Sequence, residues 1–188
     1  MWGTSYAGHF LLEAKAQGYA LPAGMLEQWV SFQTNQATAW AGSNSRGDQL
    51  NQAYRLYGLA LAKAPDLSAM NRLKEQTNLQ LQARWRLAAA YHLAGQQQVA
   101  RSLVGGQSTE PGQYSGHGST YGSPVRDLAL ILDALALIGD RERGMELVQA
   151  VSKELSGGRW HSTQTTAYAL LGISRFVGNL DQDAPLEA

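Results

Sequence analysis

The sequence contains no cysteine. That excludes disulfides, thiolate metal sites, a cysteine nucleophile and a thioester built on a cysteine side chain from these 188 residues. Net charge is missing too. Fifteen Lys and Arg balance fifteen Asp and Glu, so no overall field draws the chain to nucleic acid or to an anionic membrane. No apolar run approaches the roughly 20 residues needed to span a bilayer. The opening residues MWGTSYAGHF lack the basic start and apolar middle of a signal peptide. What remains is ordinary globular material, 44% hydrophobic and long enough for one well-filled domain. Helical patterning begins directly after Met1, which points to a start inside a larger protein.

Apolar residues recur at helical spacing along almost the whole chain. Ser5 to Gln17 sets Tyr6, Phe10 and Ala14 on one side with Ala7, Leu11 and Leu12 beside them, and Gly18 offers a left-handed stop. After Pro22, Met25, Leu26, Trp29 and Phe32 form a stripe opposite Glu27, Gln28, Gln33 and Gln36. Gly42 to Gly47 is a loop by composition, with Asp48 as N-cap of a helix apolar on two sides through Leu50, Ala53, Tyr54, Leu56, Tyr57, Leu59 and Ala60. Pro65 and Asp66 then start a short helix with Leu67, Met70 and Leu73 as its contact face. Asn78 to Ala94 and Gln96 to Val104 form the next pair, stopped at Gly95 and at Gly105 and Gly106.

Gly105 to Ser123 has no periodicity, which is unusual for so long a stretch in a compact domain unless it has a task. Ser123 and Pro124 open the helix expected to be most buried, since Leu128 to Ile138 is apolar apart from Asp133. A return helix follows Gly139 and Asp140, with Leu147, Val148, Val151 and Leu155 facing in. Ser162 caps a last helix whose face is Ala169, Leu170, Ile173, Phe176 and Val177, ending at Gly178, with Arg175 suited to the helix dipole. Two-sided helices alternate with one-sided ones. Stops at Gly18, Pro65, Gly95, Gly139 and Gly178 give steps of 47, 30, 44 and 39 residues. That is too loose for a tetratricopeptide period near 34. The pattern predicts an all-α array of helical hairpins, an α/α toroid or solenoid, as one domain over residues 1–180 with 181–188 a linker or frayed end.

Three separated segments carry a resemblance. TSYAGHFLLEAKAQGYALP (Thr4 to Pro22), YGSPVRDLALILDALALIG (Tyr121 to Gly139) and RWHSTQTTAYALLGISRF (Arg159 to Phe176) resemble the bacterial α2-macroglobulin family in its complement-like thioester domain. The resemblance runs over nearly the whole chain in the same order. It implies an α/α toroid, here an incomplete ring without its upstream helices. The implied parent is a large periplasmic protein, often lipid-anchored, that presents a bait region to proteases and traps the protease that cuts it. The partners so implied are the other domains of that parent and, through them, the target proteases. Self-association through exposed inner-helix surface near Tyr6 to Leu12 is a further expectation. The family's Cys-Leu-Glu-Gln-type thioester motif lies upstream of the segment matched by Thr4 and is absent here. In complement relatives a histidine in the loop after the second matched helix assists acyl transfer, and the loop from Ala41 to Asp48 has none. No catalytic, cofactor-binding or metal-binding residue is therefore carried over, and a non-enzymatic module with no cofactor is expected.

The residues that could suggest chemistry have simpler readings. His117 reads as a solvated loop histidine, His161 as a helix-start residue bonded to backbone, and His9 and His92 as packed, satisfied histidines. Asp127 and Asp133 stand six residues apart, roughly 120° off one helix face, which is poor geometry for a glycosidase pair. Asp127 is expected to answer the helix dipole, and Asp133 to pair with Arg126 or an arginine of a neighbouring helix. Arg46-Gly47-Asp48 spells an adhesion tripeptide, a match three residues long that chance supplies readily. Trp29 and Trp85 read as core, and Trp2, Trp40 and Trp160 as helix-end residues. Two other functions are carried as alternatives: a toroid enzyme acting on glycans or terpenoids near Gly105 to Ser123, and a helical binding scaffold. The enzyme requires Asp127, Asp133 and Glu110 to line one pocket.

Overall fold

A computed structural model describes residues 2–112 and 120–182. Among them are nine α-helices and no strand. The chain divides into two compact units, 1–105 and 106–188. His117 and residues 183–188 lie outside the described residues.

The first unit holds α1 (Trp2–Ala16), α2 (Met25–Ala39), α3 (Arg46–Leu61), α4 (Leu67–Lys74), α5 (Leu81–Leu93) and α6 (Gln97–Val104). Its centre is α3, packed against α1, α2, α4 and α5. The two-sided pattern of α3 is realised: from Leu56 to Ala60 every residue is buried. Asp66 caps α4 by accepting from the Ala69 amide at 2.9 Å. Gly18 and Gly95 take left-handed conformations after α1 and α5, as their place in the sequence predicts. The corresponding position after α3 is Lys63, at φ 62°. There the amides of Lys63 and Ala64 bond back to Ala60 and Leu59.

Three expectations for this unit change. Asp48 lies in the first turn of α3, Ser45 occupies the cap, and the Asp48 carboxylate accepts from Ser43 Oγ at 3.0 Å. Helix α2 buries Leu26, Trp29, Gln33 and Ala37 and exposes Phe32, because Gln33 is held inside by a hydrogen bond from Arg55. Helix α1 buries Trp2, Ser5, Gly8 and His9 and leaves Phe10 69% exposed. The cause is Trp29: its indole fills the space beside Gly8 and its Nε1 donates to Thr4 O at 2.9 Å. A Cβ at Gly8 would overlap the indole ring, and one at Gly58 of α3 would stand 2.9 Å from it. One aromatic side chain thus sets the close approach of α1 and α3.

The second unit holds α7 (Pro124–Ile138), α8 (Arg141–Ser156) and α9 (Thr163–Gln182). Helix α7 begins as predicted, with Pro124 in its first turn and Ser123 Oγ accepting from the Arg126 amide at 3.1 Å, and it is almost wholly buried. Asp140 caps α8, and Ser162 caps α9 by accepting from the Thr165 amide. The hydroxyl of Thr165 joins both N-caps, 2.9 Å from Ser123 Oγ and 3.0 Å from Ser162 Oγ. Gly178 does not stop α9, which continues to Gln182. The buried face of α9 is Thr165, Tyr168, Ala169, Gly172 and Phe176, while Leu170 is 57% exposed and Val177 is also exposed. The helical period is as expected but its phase is rotated. Gly172 lies where a Cβ would be 3.0 Å from Ala129 O of α7, and the Phe176 ring fills the space beside Gly144 of α8. These close approaches turn the small-residue side of α9 inward.

Candidate functional site

The side chains that converge most in the first unit are ones the sequence leaves scattered. His9 on α1 is buried, with Nδ1 3.0 Å from Tyr54 Oη of α3 and Nε2 3.2 Å from Glu13 Oε1 one turn along. Its ring stands edge-on to Tyr54 and Tyr57, at 5.8 and 5.3 Å between centroids. Trp2 packs on Tyr54 at 4.7 Å, and the guanidinium of Arg86 from α5 lies 4.2 Å from the centre of the Tyr57 ring. A hydroxyl, an imidazole and a carboxylate in series have the order of a nucleophile, a base and its orienting group. Tyr54 is fully buried, however, so its hydroxyl meets no substrate. The arrangement ties α1 to α3 and α5, and His9 is a satisfied packing histidine as its sequence position suggests.

Beside it runs a buried polar seam that alternation gives no hint of. Arg55 donates through Nε to Gln33 Oε1 at 3.0 Å and through Nη1 to Gln52 Oε1. Gln52 Nε2 donates to Ala37 O at 3.1 Å, and Gln49 accepts from the Gln80 amide at 2.8 Å. Burial lowers the pKa of Arg55. A cleft of about 260 Å³ opens over this seam, lined by Gln36, Trp40, Asp48, Asn51 and Arg55.

The other candidates separate cleanly. Asp127 pairs with Arg126 at 2.7 Å, both fully buried, so it is more than a dipole partner. Asp133 pairs with Arg175 of α9, which places Arg175 against α7 in mid-helix instead of at a helix end. Glu110 is exposed on the segment before α7. The three carboxylates do not form one site. Arg46-Gly47-Asp48 is the first turn of α3 rather than an extended loop. His161 Nε2 donates to Glu154 O at 3.1 Å, a backbone bond as expected. His92 has its pKa lowered by burial and, less, by Arg101. Tyr91 is pushed up to about 12 by burial and, less, by the charge of Glu75. Trp85 is fully buried and Trp160 is 88% exposed. A second cleft of about 210 Å³ lies among Leu135, Gly139, Arg141, Phe176 and Asn179. Among the described residues, no group of three His, Asp or Glu side chains could hold a metal ion, and no helix is long and apolar enough to cross a membrane.

Helical hairpins of this order, two-sided helices alternating with one-sided ones, define an all-α fold of the α/α toroid class. Solved structures of bacterial α2-macroglobulins share it. Salmonella α2-macroglobulin reacted with methylamine matches 93% of this chain with a TM-score of 0.78 at 24% identity. The native conformation of the Escherichia coli protein matches 98% at TM-score 0.78 and 21% identity. The trypsin-activated Escherichia coli form matches 93% at 0.73 and 22%. The chain spans 12% of the length of each of these three. No family model and no curated protein matches the sequence. The shared fold agrees with the resemblance carried by Thr4 to Pro22, Tyr121 to Gly139 and Arg159 to Phe176.

Proposed function

We propose that the chain is a non-catalytic module of a bacterial α2-macroglobulin-like protein and contributes to protease trapping in the periplasm. The observation that carries this reading is the match of nearly the whole chain, at TM-scores of 0.73 to 0.78, to a small part of macroglobulins in native, methylamine-reacted and protease-activated forms. On this reading the partners are the other domains of the parent and, through them, the attacking protease. The parent resides in the periplasm, held to the inner membrane by a lipid. Covalent capture, if the parent performs it, draws its thioester from outside these residues, which hold no cysteine.

Two further features support a module over a free-standing enzyme. The carboxylates that a hydrolase would need are committed to Arg126 and Arg175. Leu170 and Val177 of α9 and Phe10 of α1 present apolar surface of the kind that neighbouring parts of a larger protein cover. The test is to express the parent from its complete reading frame and add trypsin. A trap leaves trypsin active on a small chromogenic peptide while protecting a large protein substrate. Equal activity on both substrates overturns the proposal.

A further inference from the structure

The Tyr54, His9 and Glu13 series is closed to any substrate that must touch the hydroxyl, but an electron needs no such contact. An ionised carboxylate only accepts hydrogen bonds, so His9 Nε2, 3.2 Å from Glu13 Oε1, carries the ring proton of the neutral imidazole. Nδ1 is then an acceptor, and the Tyr54 hydroxyl donates to it at 3.0 Å. The carboxylate thus sets the tautomer. A base already stands beside the phenol proton, within the roughly 2.6–3.2 Å reach that proton transfer requires.

A phenol that loses an electron in an apolar interior must also shed its proton, and here the proton has one hydrogen bond to cross. The imidazolium so formed faces Glu13, whose side chain is 28% exposed, so the new positive charge is balanced one helical turn away. Trp2 supplies the route for the electron. Its indole, at the start of α1, packs on the Tyr54 ring with 4.7 Å between centroids, and indole is the other side chain that gives up a single electron readily. The Tyr57 ring stacks beside Tyr54 at 6.4 Å, yet the Arg86 guanidinium lies 4.2 Å from the Tyr57 centroid and 5.6 Å from that of Tyr54. Its charge therefore opposes oxidation of Tyr57 the more strongly. Complete burial of Tyr54 keeps a phenoxyl radical there from coupling with a second one.

We propose that Tyr54 is a redox-active tyrosine, oxidised by one-electron oxidants at the surface with Trp2 as electron relay and His9 as proton acceptor. The oxidant takes one electron from the Trp2 indole and is itself reduced by one. The indole radical cation then takes one electron from Tyr54 as the Tyr54 Oη–H bond breaks and an N–H bond forms at His9 Nδ1. The products are the reduced oxidant, a neutral indole, a neutral phenoxyl radical and an imidazolium, so electrons and charge balance. This activity is separate from the trapping role and stands or falls independently of it.

The test is flash oxidation of the full 188-residue chain by photogenerated tris(bipyridine)ruthenium(III), followed by transient absorption and by electron paramagnetic resonance of samples frozen after the flash. A phenoxyl signal is expected that Tyr54→Phe removes, although seven other tyrosines remain. In heavy water, deuterium ENDOR on the unaltered chain should show an exchangeable deuteron hydrogen-bonded to the phenoxyl oxygen. His9→Gln, with helical circular dichroism unchanged, should slow formation of the phenoxyl by about a hundredfold. Trp2→Phe should abolish the indole transient whose decay matches the rise of the phenoxyl. A signal that survives in Tyr54→Phe overturns the proposal, since it places the radical on another tyrosine such as the exposed Tyr19 or Tyr121. So does a phenoxyl without the bonded deuteron, a folded His9→Gln chain that forms it at an unchanged rate, or a matched indole transient that persists in Trp2→Phe.

Discussion

The two units solve the same packing problem with different chemistry. In the second, α7 is an apolar rod whose charged side chains are cancelled in place, Asp127 by Arg126 and Asp133 by Arg175. In the first, α3 is equally buried but carries Gln49, Gln52 and Arg55 into the interior and satisfies them with amides and backbone. Each unit also seats one aromatic ring in the space beside a glycine, Trp29 against Gly8 and Gly58, and Phe176 against Gly144. Ionic pairing concentrates the penalty for error in one bond, whereas an amide seam spreads it over several.

The sharpest way to test that contrast is to delete one acceptor from each unit. Asp127→Ala leaves the fully buried Arg126 without its 2.7 Å partner and should cost about 3–5 kcal/mol in urea unfolding. Gln52→Ala should cost about 1–3 kcal/mol, because Arg55 keeps Gln33. Equal losses would remove the distinction. The glycine notches come next. Gly8→Ala and Gly144→Ala each drive a Cβ into an aromatic ring and should cost about 1–3 kcal/mol in thermal unfolding. Gly95→Ala meets no neighbouring atom and carries only the strain of its φ of 78°, so it should cost less.

Much of this was legible from residue order, and what was not has a physical cause. The starts of α4, α7, α8 and α9 were readable because a side-chain oxygen and a following periodic run leave one place for a cap. The depth of α7 was readable from its apolar run. The faces of α1 and α9 depart from the pattern where a glycine, not a large side chain, marks the buried side: Gly8 and Gly172 give a hydrophobicity count nothing to weigh, yet they set the contact. Gln33 was read as wet because a buried glutamine is explained only by its partner Arg55, 22 residues away. Asp133 was correctly expected to need an arginine, and folding selected Arg175 over Arg126. The Tyr54, His9 and Glu13 series could not be seen in advance, since its members come from helices 45 residues apart in sequence.

Two smaller effects refine the comparison within the first unit. Lys63 occupies a left-handed position that glycine fills after α1 and α5, so Lys63→Gly should stabilise the chain by about 0.5–1 kcal/mol. His92 has a pKa below its ordinary value. As pH falls through about 6.5 the unfolded chain takes up a proton that the folded chain refuses, so stability declines until the folded pKa is passed and then levels. His92→Gln should flatten the stability profile below pH 6.5 relative to the unaltered chain. A slope that the substitution leaves unchanged would assign it to other groups.

The direct test of the trapping proposal is a single-particle reconstruction of the parent protein before and after elastase is added. The account predicts that helices α1 to α9 persist in both states, embedded in a larger molecule that rearranges around the protease. A parent that leaves these helices standing apart, and that neither rearranges nor encloses the protease, would contradict it.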